Sequence, residues 1–249
     1  MRATEIPYIV YENDECAVVY KPPRMHCAPL QKNNEETLVD WFAAQTPVIL
    51  TVKGKKAGEG GLVHRLDYST RGLVLFAKTQ NYFDFLQSEQ KENRFEKEYR
   101  ALCRQEPAAL PGFPPHPPFA AIPGEIESYF RAFGPGRKEV RPVIKLNPSG
   151  TIDSGGSGYY RTQICDAKKI PQPASSGAVH SFCIKIKRGF RHQIRCHLAW
   201  IGYPIINDEI YGSPVRAAGN LALCSTGLKW TNGEYHIACK ELELSADSG

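Results

Sequence analysis

His64-Arg65-Leu66-Asp67 sets a histidine, a cation and a carboxylate within four residues, between the apolar runs Leu62-Val63 and Leu73-Val74-Leu75-Phe76-Ala77. A charge at the rim of a core must be paired or hydrogen-bonded, because desolvating it is costly. Proteins tolerate that cost mostly where the charge does chemistry. Taken alone, the four residues read as a structural Arg–Asp pair at a strand end. A second dense region, residues 185–212, reads KIKRGFRHQIRCHLAWIGYPIINDEIYG. Lys185, Lys187, Arg188, Arg191 and Arg195 crowd a strand, a turn and one helix. Arg191 and Arg195 are four apart and are expected on one helix face, with His192 on its flank. The cluster suits phosphate contacts; the plain alternative is a solvated basic face, the commoner origin of a charge run. Tyr99 lies on a strand near Lys97 and Arg100. Such a ring can stack on a base while its hydroxyl takes part in proton transfer, although by itself it reads as half-buried packing.

These groups need a scaffold. The 249 residues, 42% hydrophobic, supply one sizeable core or two small ones. No apolar run is long enough to span a membrane, and the start, MRATEIPYIVYENDE, argues against export. Eight scattered cysteines without a CxxC pair argue against a zinc ribbon or a disulfide framework. They read as small buried hydrophobes in a reducing cytoplasm. The net charge of +5 permits a nucleic-acid partner without demanding one.

Residues 6–11 and 16–20 form a hairpin candidate that Lys21-Pro22-Pro23 ends. Asn33 and Glu36 have capping-box spacing for a helix over 33–45. Residues 73–77 read as a fully buried strand, followed by a helix that Thr79 caps and that runs to about Glu92. Residues 95–104 alternate as a strand. Proline-dense residues 107–124 should be extended, and glycine- and serine-rich residues 148–158 loop-like. Strands are expected at 125–133, 159–165 and 179–187, with a polar loop at 168–177. A helix at 191–200 carries Ile194, His197 and Leu198 inward and stops at Gly202. Short strands near 221–224 and 235–239 precede an acidic tail. Hairpins outnumber helices, so the expected class is α+β, a mixed, largely antiparallel central sheet flanked by helices.

Four ordered stretches resemble the RluA-type pseudouridine synthases. Residues 61–78 are similar to that family's HRLDxxTSGLLLFAK signature, and IVYENDECAVVYKPPRMHCAP to its strand–turn–strand with KPxG. FEKEYRAL looks like its KxYxA strand, and GFRHQIRCHLAWIGYPIINDEIYG like its GRTHQIRVHLAxIGxPIxGDxxYG block. The resemblance implies a pseudouridine synthase-like fold and RNA, ribosomal or transfer, as substrate. It assigns Asp67 as catalytic carboxylate, Tyr99 as the ring against uracil and Arg195 as the partner of Asp67. Arg65 aligns with the arginine that helps extrude the target nucleotide. His64, Arg191, His192, Lys185 and Lys187 then fall to RNA contact, aided by residues 53–56. By the same resemblance, residues 1–249 make a single catalytic domain with an insertion around 107–158, lacking a separate N-terminal RNA-binding domain and acting as a cytoplasmic monomer.

The reaction fits these residue types. Uridine becomes pseudouridine when the N1–C1′ bond breaks and C1′ joins C5 of the same base. No atom is gained and no electron leaves, so neither a cofactor nor a metal is expected. An ionised carboxylate must attack the sugar or take a sugar proton, and a nearby guanidinium favours that ionised form. Unstacking the target costs roughly a few kcal/mol, which phosphate contacts can offset. The chain departs from the family pattern at Arg71 (for Ser), Phe190-Arg191 (for Arg-Thr), Asn207 (for Gly) and Arg24 (for the Gly of KPxG). The departures at Arg71 and Phe190-Arg191 keep open an inactive RNA-binding protein of the same fold. A hydrolase using Asp67 with His64 or His192 is a weaker third reading, because no second acid stands nearby.

Overall fold

The computed structural model of the chain describes residues 5–30, 35–106, 111–115, 123–145, 158–171, 178–212 and 219–238. Two compact units emerge, Met1–Lys97 with Cys224–Lys240, and Glu98–Leu223 with Glu241–Gly249.

In the first unit β1 (Tyr8–Glu12) and β2 (Cys16–Lys21) form the expected hairpin. Asn13 Oδ1 makes its turn by accepting the N–H groups of Glu15 (3.0 Å) and Cys16 (2.8 Å). β3 (Arg71–Ala77) lies antiparallel to β2, and all seven of its residues are buried. That explains its unbroken apolar run: both faces are covered. Phe76 packs on Phe42 of α1 (Leu38–Ala43), their ring centroids 4.9 Å apart. Leu73, Leu75 and Ala77 join a core with Phe83 and Leu86 of α2 (Gln80–Lys91), which Thr79 caps through Tyr82 N–H. The other edge of β3 runs parallel to β9 (Leu223–Trp230), and β10 (Gly233–His236) returns antiparallel to β9. Gly72 is required at the parallel contact: its φ is +116°, and a Cβ would sit 2.2 Å from Ser225 O.

The second unit orders its strands β4-β8-β7-β5-β6: β4 (Glu96–Arg104), β5 (Gly124–Phe133), β6 (Glu139–Val143), β7 (Tyr160–Ile170) and β8 (Val179–Ile186). β5 pairs with β7 through its first half and with β6 through its second, both antiparallel. α3 (Gln193–Trp200) is buried all round. The parallel β3–β9 contact beside the antiparallel pairings described above makes this an α+β fold with a mixed, largely antiparallel sheet, as expected.

Several boundaries move. The first helix spans Leu38–Ala43, and its capping box is Thr37 with Asp40, because Thr37 Oγ1 accepts Asp40 N–H while the Asp40 carboxylate takes Thr37 N–H. Asn33, the expected cap, lies outside the described residues. Residues 168–170, expected in a loop, extend β7 by pairing with residues 179–181. β9 continues well past residue 224, and β6 was not expected. Most of 107–124 and 148–158, and the tail from 239 onward, lie outside the described residues.

Candidate active site

The loop carrying Asp67 leads directly into β3. Residues 61–63 ride on that strand: Val63 N–H donates to Leu75 O (3.0 Å), and Ala77 N–H to Gly61 O (2.8 Å). A Cβ on Gly61 would stand 1.8 Å from Ala77 O, so no other residue allows this approach. Asp67 O accepts Thr70 N–H (3.1 Å), closing the turn into β3. From the far side comes Lys21, the last residue of β2, wholly buried. Its ammonium donates to Pro22 O (2.8 Å), Met25 O (2.8 Å) and Tyr68 O (3.3 Å). Burial pushes Lys21 down to about 8, and nearby Cys27, Asp67 and Glu5 oppose the shift. The Cys27 thiol adds a second tie: it accepts Leu66 N–H (3.2 Å) and donates to Leu66 O (3.5 Å). Segments 25–27 and 66–68 are thereby laced together around Asp67.

His64 turns inward. Its Nε2 accepts the Leu75 N–H (3.2 Å), and its ring lies 5.4 Å from that of Phe95. Burial, then the Lys97 and Lys55 charges, push its pKa well below the ordinary histidine value. Arg65 is exposed at the loop edge, and its carboxylate partner is Glu59, at 3.2 Å. Arg71, where the family pattern has serine, is buried and paired with Glu5 at 2.7 Å. Lys97 shares its β4 face with Tyr99, and burial pushes it down to about 7.

In the second unit Tyr99 is buried on β4. Arg195 is buried on α3 and forks onto Asp208, with Nε to Oδ2 and Nη2 to Oδ1 both at 2.7 Å. Asp208 also accepts the N–H groups of Ile210 (2.9 Å) and Tyr211 (3.0 Å). The expectation that Arg191 and Arg195 share a helix face is corrected here. The helix begins at Gln193, behind His192 in the left-handed region (φ 56°). Arg191 therefore precedes the helix, exposed, and donates to Arg137 O (2.7 Å) and Glu139 O (3.2 Å). His192 Nδ1 lies 3.2 Å from the Tyr211 hydroxyl. Lys185 is half-buried on β8, and Lys187 and Arg188 are exposed just beyond it. The basic cluster is thus surface at 187, 188 and 191, and core at 195.

The remaining departures have structural explanations. Phe190 stacks on Phe130, centroids 5.0 Å apart and planes within 4°. Arg24 and Asn207 stand where the family pattern has glycine, and both adopt left-handed backbone, φ 60° and 62°. Lys21 and Asp208 lay within the quoted motifs without a role. Their signal was a charged residue closing an otherwise apolar strand, and an acid thirteen positions beyond the helix arginine.

Residues 15–200 match the family model described as RNA pseudouridylate synthase. The chain belongs to that family. Among curated relatives, the ribosomal large subunit pseudouridine synthase D of Borreliella burgdorferi is 26% identical over 222 residues, covering 89% of this chain and 59% of its own. The Pseudomonas aeruginosa protein of the same name is 26% identical over 217 residues, covering 84% and 54%. The chain thus spans between half and three-fifths of the length of these relatives. Human RNA pseudouridylate synthase domain containing 4 shares the fold, with a TM-score of 0.61 at 16% identity over 92% of this chain and 87% of that one.

Proposed function

We propose that this chain isomerises uridine to pseudouridine in RNA, with Asp67 as catalytic carboxylate and, as the resemblance implies, Tyr99 as the ring against uracil and Arg195, itself forked onto Asp208, in the catalytic set. The observation that carries the reading is the clamped Asp67 loop, built on a buried strand by Lys21, Cys27 and Gly61. A backbone held this rigidly on both sides of Asp67 pre-organises the position of its carboxylate. Asp67 attacks the sugar or takes a sugar proton as N1–C1′ breaks; C1′ then bonds to C5 as the Asp67–C1′ bond breaks or the sugar proton returns, the C5 proton leaves, and N1 takes one up. Atoms and electrons balance without an added redox group. Arg65 helps extrude the target nucleotide, Arg191, His192, Lys185 and Lys187 contact the RNA, and His64 supports the loop from within. Large-subunit ribosomal RNA is the first substrate to test, after the names of the relatives, with transfer RNA second.

The departures that favoured an inactive RNA-binding protein lose their force, since Glu5 pairs Arg71, Phe130 stacks on Phe190, and Arg191 caps the 137–139 turn. A hydrolase using His64 as base is opposed by its Nε2, already spent on Leu75 N–H. Incubation with RNA labelled with tritium at uridine C5 tests the proposal. Tritium release without free uracil is expected; free uracil would indicate hydrolysis, and no release would reject the activity.

A further inference from the structure

Tyr68 directly follows Asp67, yet it is 40% exposed. It leans on the half-buried His26, ring centroids 4.6 Å apart and planes inclined by 39°. Neither residue has a role in the chemistry above. An exposed aromatic pair on mobile loops would mean little, but these backbones are fixed. Lys21 holds Met25 O and Tyr68 O with one ammonium. His26 O and Cys27 O accept the first N–H groups of α1, from Leu38 (2.9 Å) and Val39 (3.1 Å). Beside them stands Arg24, exposed and at φ 60°, a conformation unfavourable for any side chain with a Cβ. Backbone strain of this kind persists mostly where a site uses it.

We propose that His26 and Tyr68 form a stacking step for a nucleobase adjacent to the target uridine, with Arg24 meeting the phosphate of that nucleotide. The inference rests on the RNA reading above and extends its site by one nucleotide. Single-stranded bases stack readily on aromatic faces whatever their sequence, and a flanking cation secures the backbone. The target must leave its stack to react, so a neighbour held on the protein lowers the cost of extrusion.

The test measures binding of a fluorescent single-stranded oligouridylate, and of the same oligomer with abasic residues, to the full chain. Tyr68→Ala and His26→Ala should each weaken binding of the base-bearing oligomer by about tenfold and leave the abasic one unchanged. Tyr68→Phe, which keeps the ring, should bind as wild type. Arg24→Gly should weaken both oligomers alike while raising the unfolding temperature. Equal losses on both oligomers for Tyr68→Ala, or none on either, would overturn the stacking step. Arg24→Gly binding at wild-type strength would overturn the phosphate contact. Because binding is read without turnover, a protein that stacks bases but releases no tritium would fail the catalytic reading and keep this one.

Discussion

Lys21→Met separates the clamp on Asp67 from the stability of the fold. The buried ammonium makes two bonds of 2.8 Å and one of 3.3 Å to carbonyls. Hydrogen bonds to a charged group contribute about 1.5–3 kcal/mol each, so the three together give roughly 4–6 kcal/mol, the longest counting least. Against this stands the cost of burying the charge. The fall in Lys21 from 10.5 to about 8 corresponds to about 3 kcal/mol. Methionine fills a similar volume and relieves that cost, so the net loss is expected to be only about 1–3 kcal/mol at pH 7. Turnover should fall much further, by about a hundredfold, because freeing Tyr68 O loosens the loop that aims Asp67. The pH dependence adds a signature. The lysine is depressed in the folded state, so the unfolded chain binds more protons between about pH 8 and 10.5, and Lys21 makes stability rise with pH across that window. The variant should lack this contribution. Urea unfolding at pH 7 and pH 9.5, with tritium release at saturating RNA, measures all three. Turnover within threefold of wild type would refute the clamp.

Two further outcomes follow from the fold. His197 is buried between the Ser128 and Thr162 hydroxyls, and burial pushes it down to about 3. Its contribution is complete above pH 6.5 and is lost as pH falls toward 3, so acidification to pH 4.5 should remove about 3 kcal/mol. Urea midpoints at pH 7 and 4.5 should converge in His197→Gln relative to wild type. Gly61→Ala should cost at least about 3 kcal/mol, since its Cβ meets backbone, which cannot move aside. Gly58→Ala, with nothing within 4 Å, should cost only about 1 kcal/mol from its positive φ; denaturant titration of the pair compares them.

The sequence was most legible where one local rule decides. The apolar run at 73–77, the Thr79 cap and the Gly202 stop each follow from period, capping or backbone freedom, and each is observed. It was least legible where partners come from distant segments. Nothing in FRHQIRCH says that Arg195 forks onto Asp208, because that pairing depends on how the 201–208 turn folds back. Lys21 looked like the polar end of a strand, and its burial depends on carbonyls from two loops. The Arg191–Arg195 helix face failed because left-handed His192 delays the helix by two residues. Arg24 and Asn207 were legible as departures from a pattern, but only their φ values explain why glycine suits those positions.

Asp67 is proposed to carry the isomerisation. Purified wild type and Asp67→Asn, which differ by one oxygen-for-amide exchange, should be compared on ribosomal RNA tritiated at uridine C5, alongside unfolding temperature and RNA affinity. Wild type should release tritium and the variant none above background, with stability and binding preserved. Release by Asp67→Asn at the wild-type rate would contradict it.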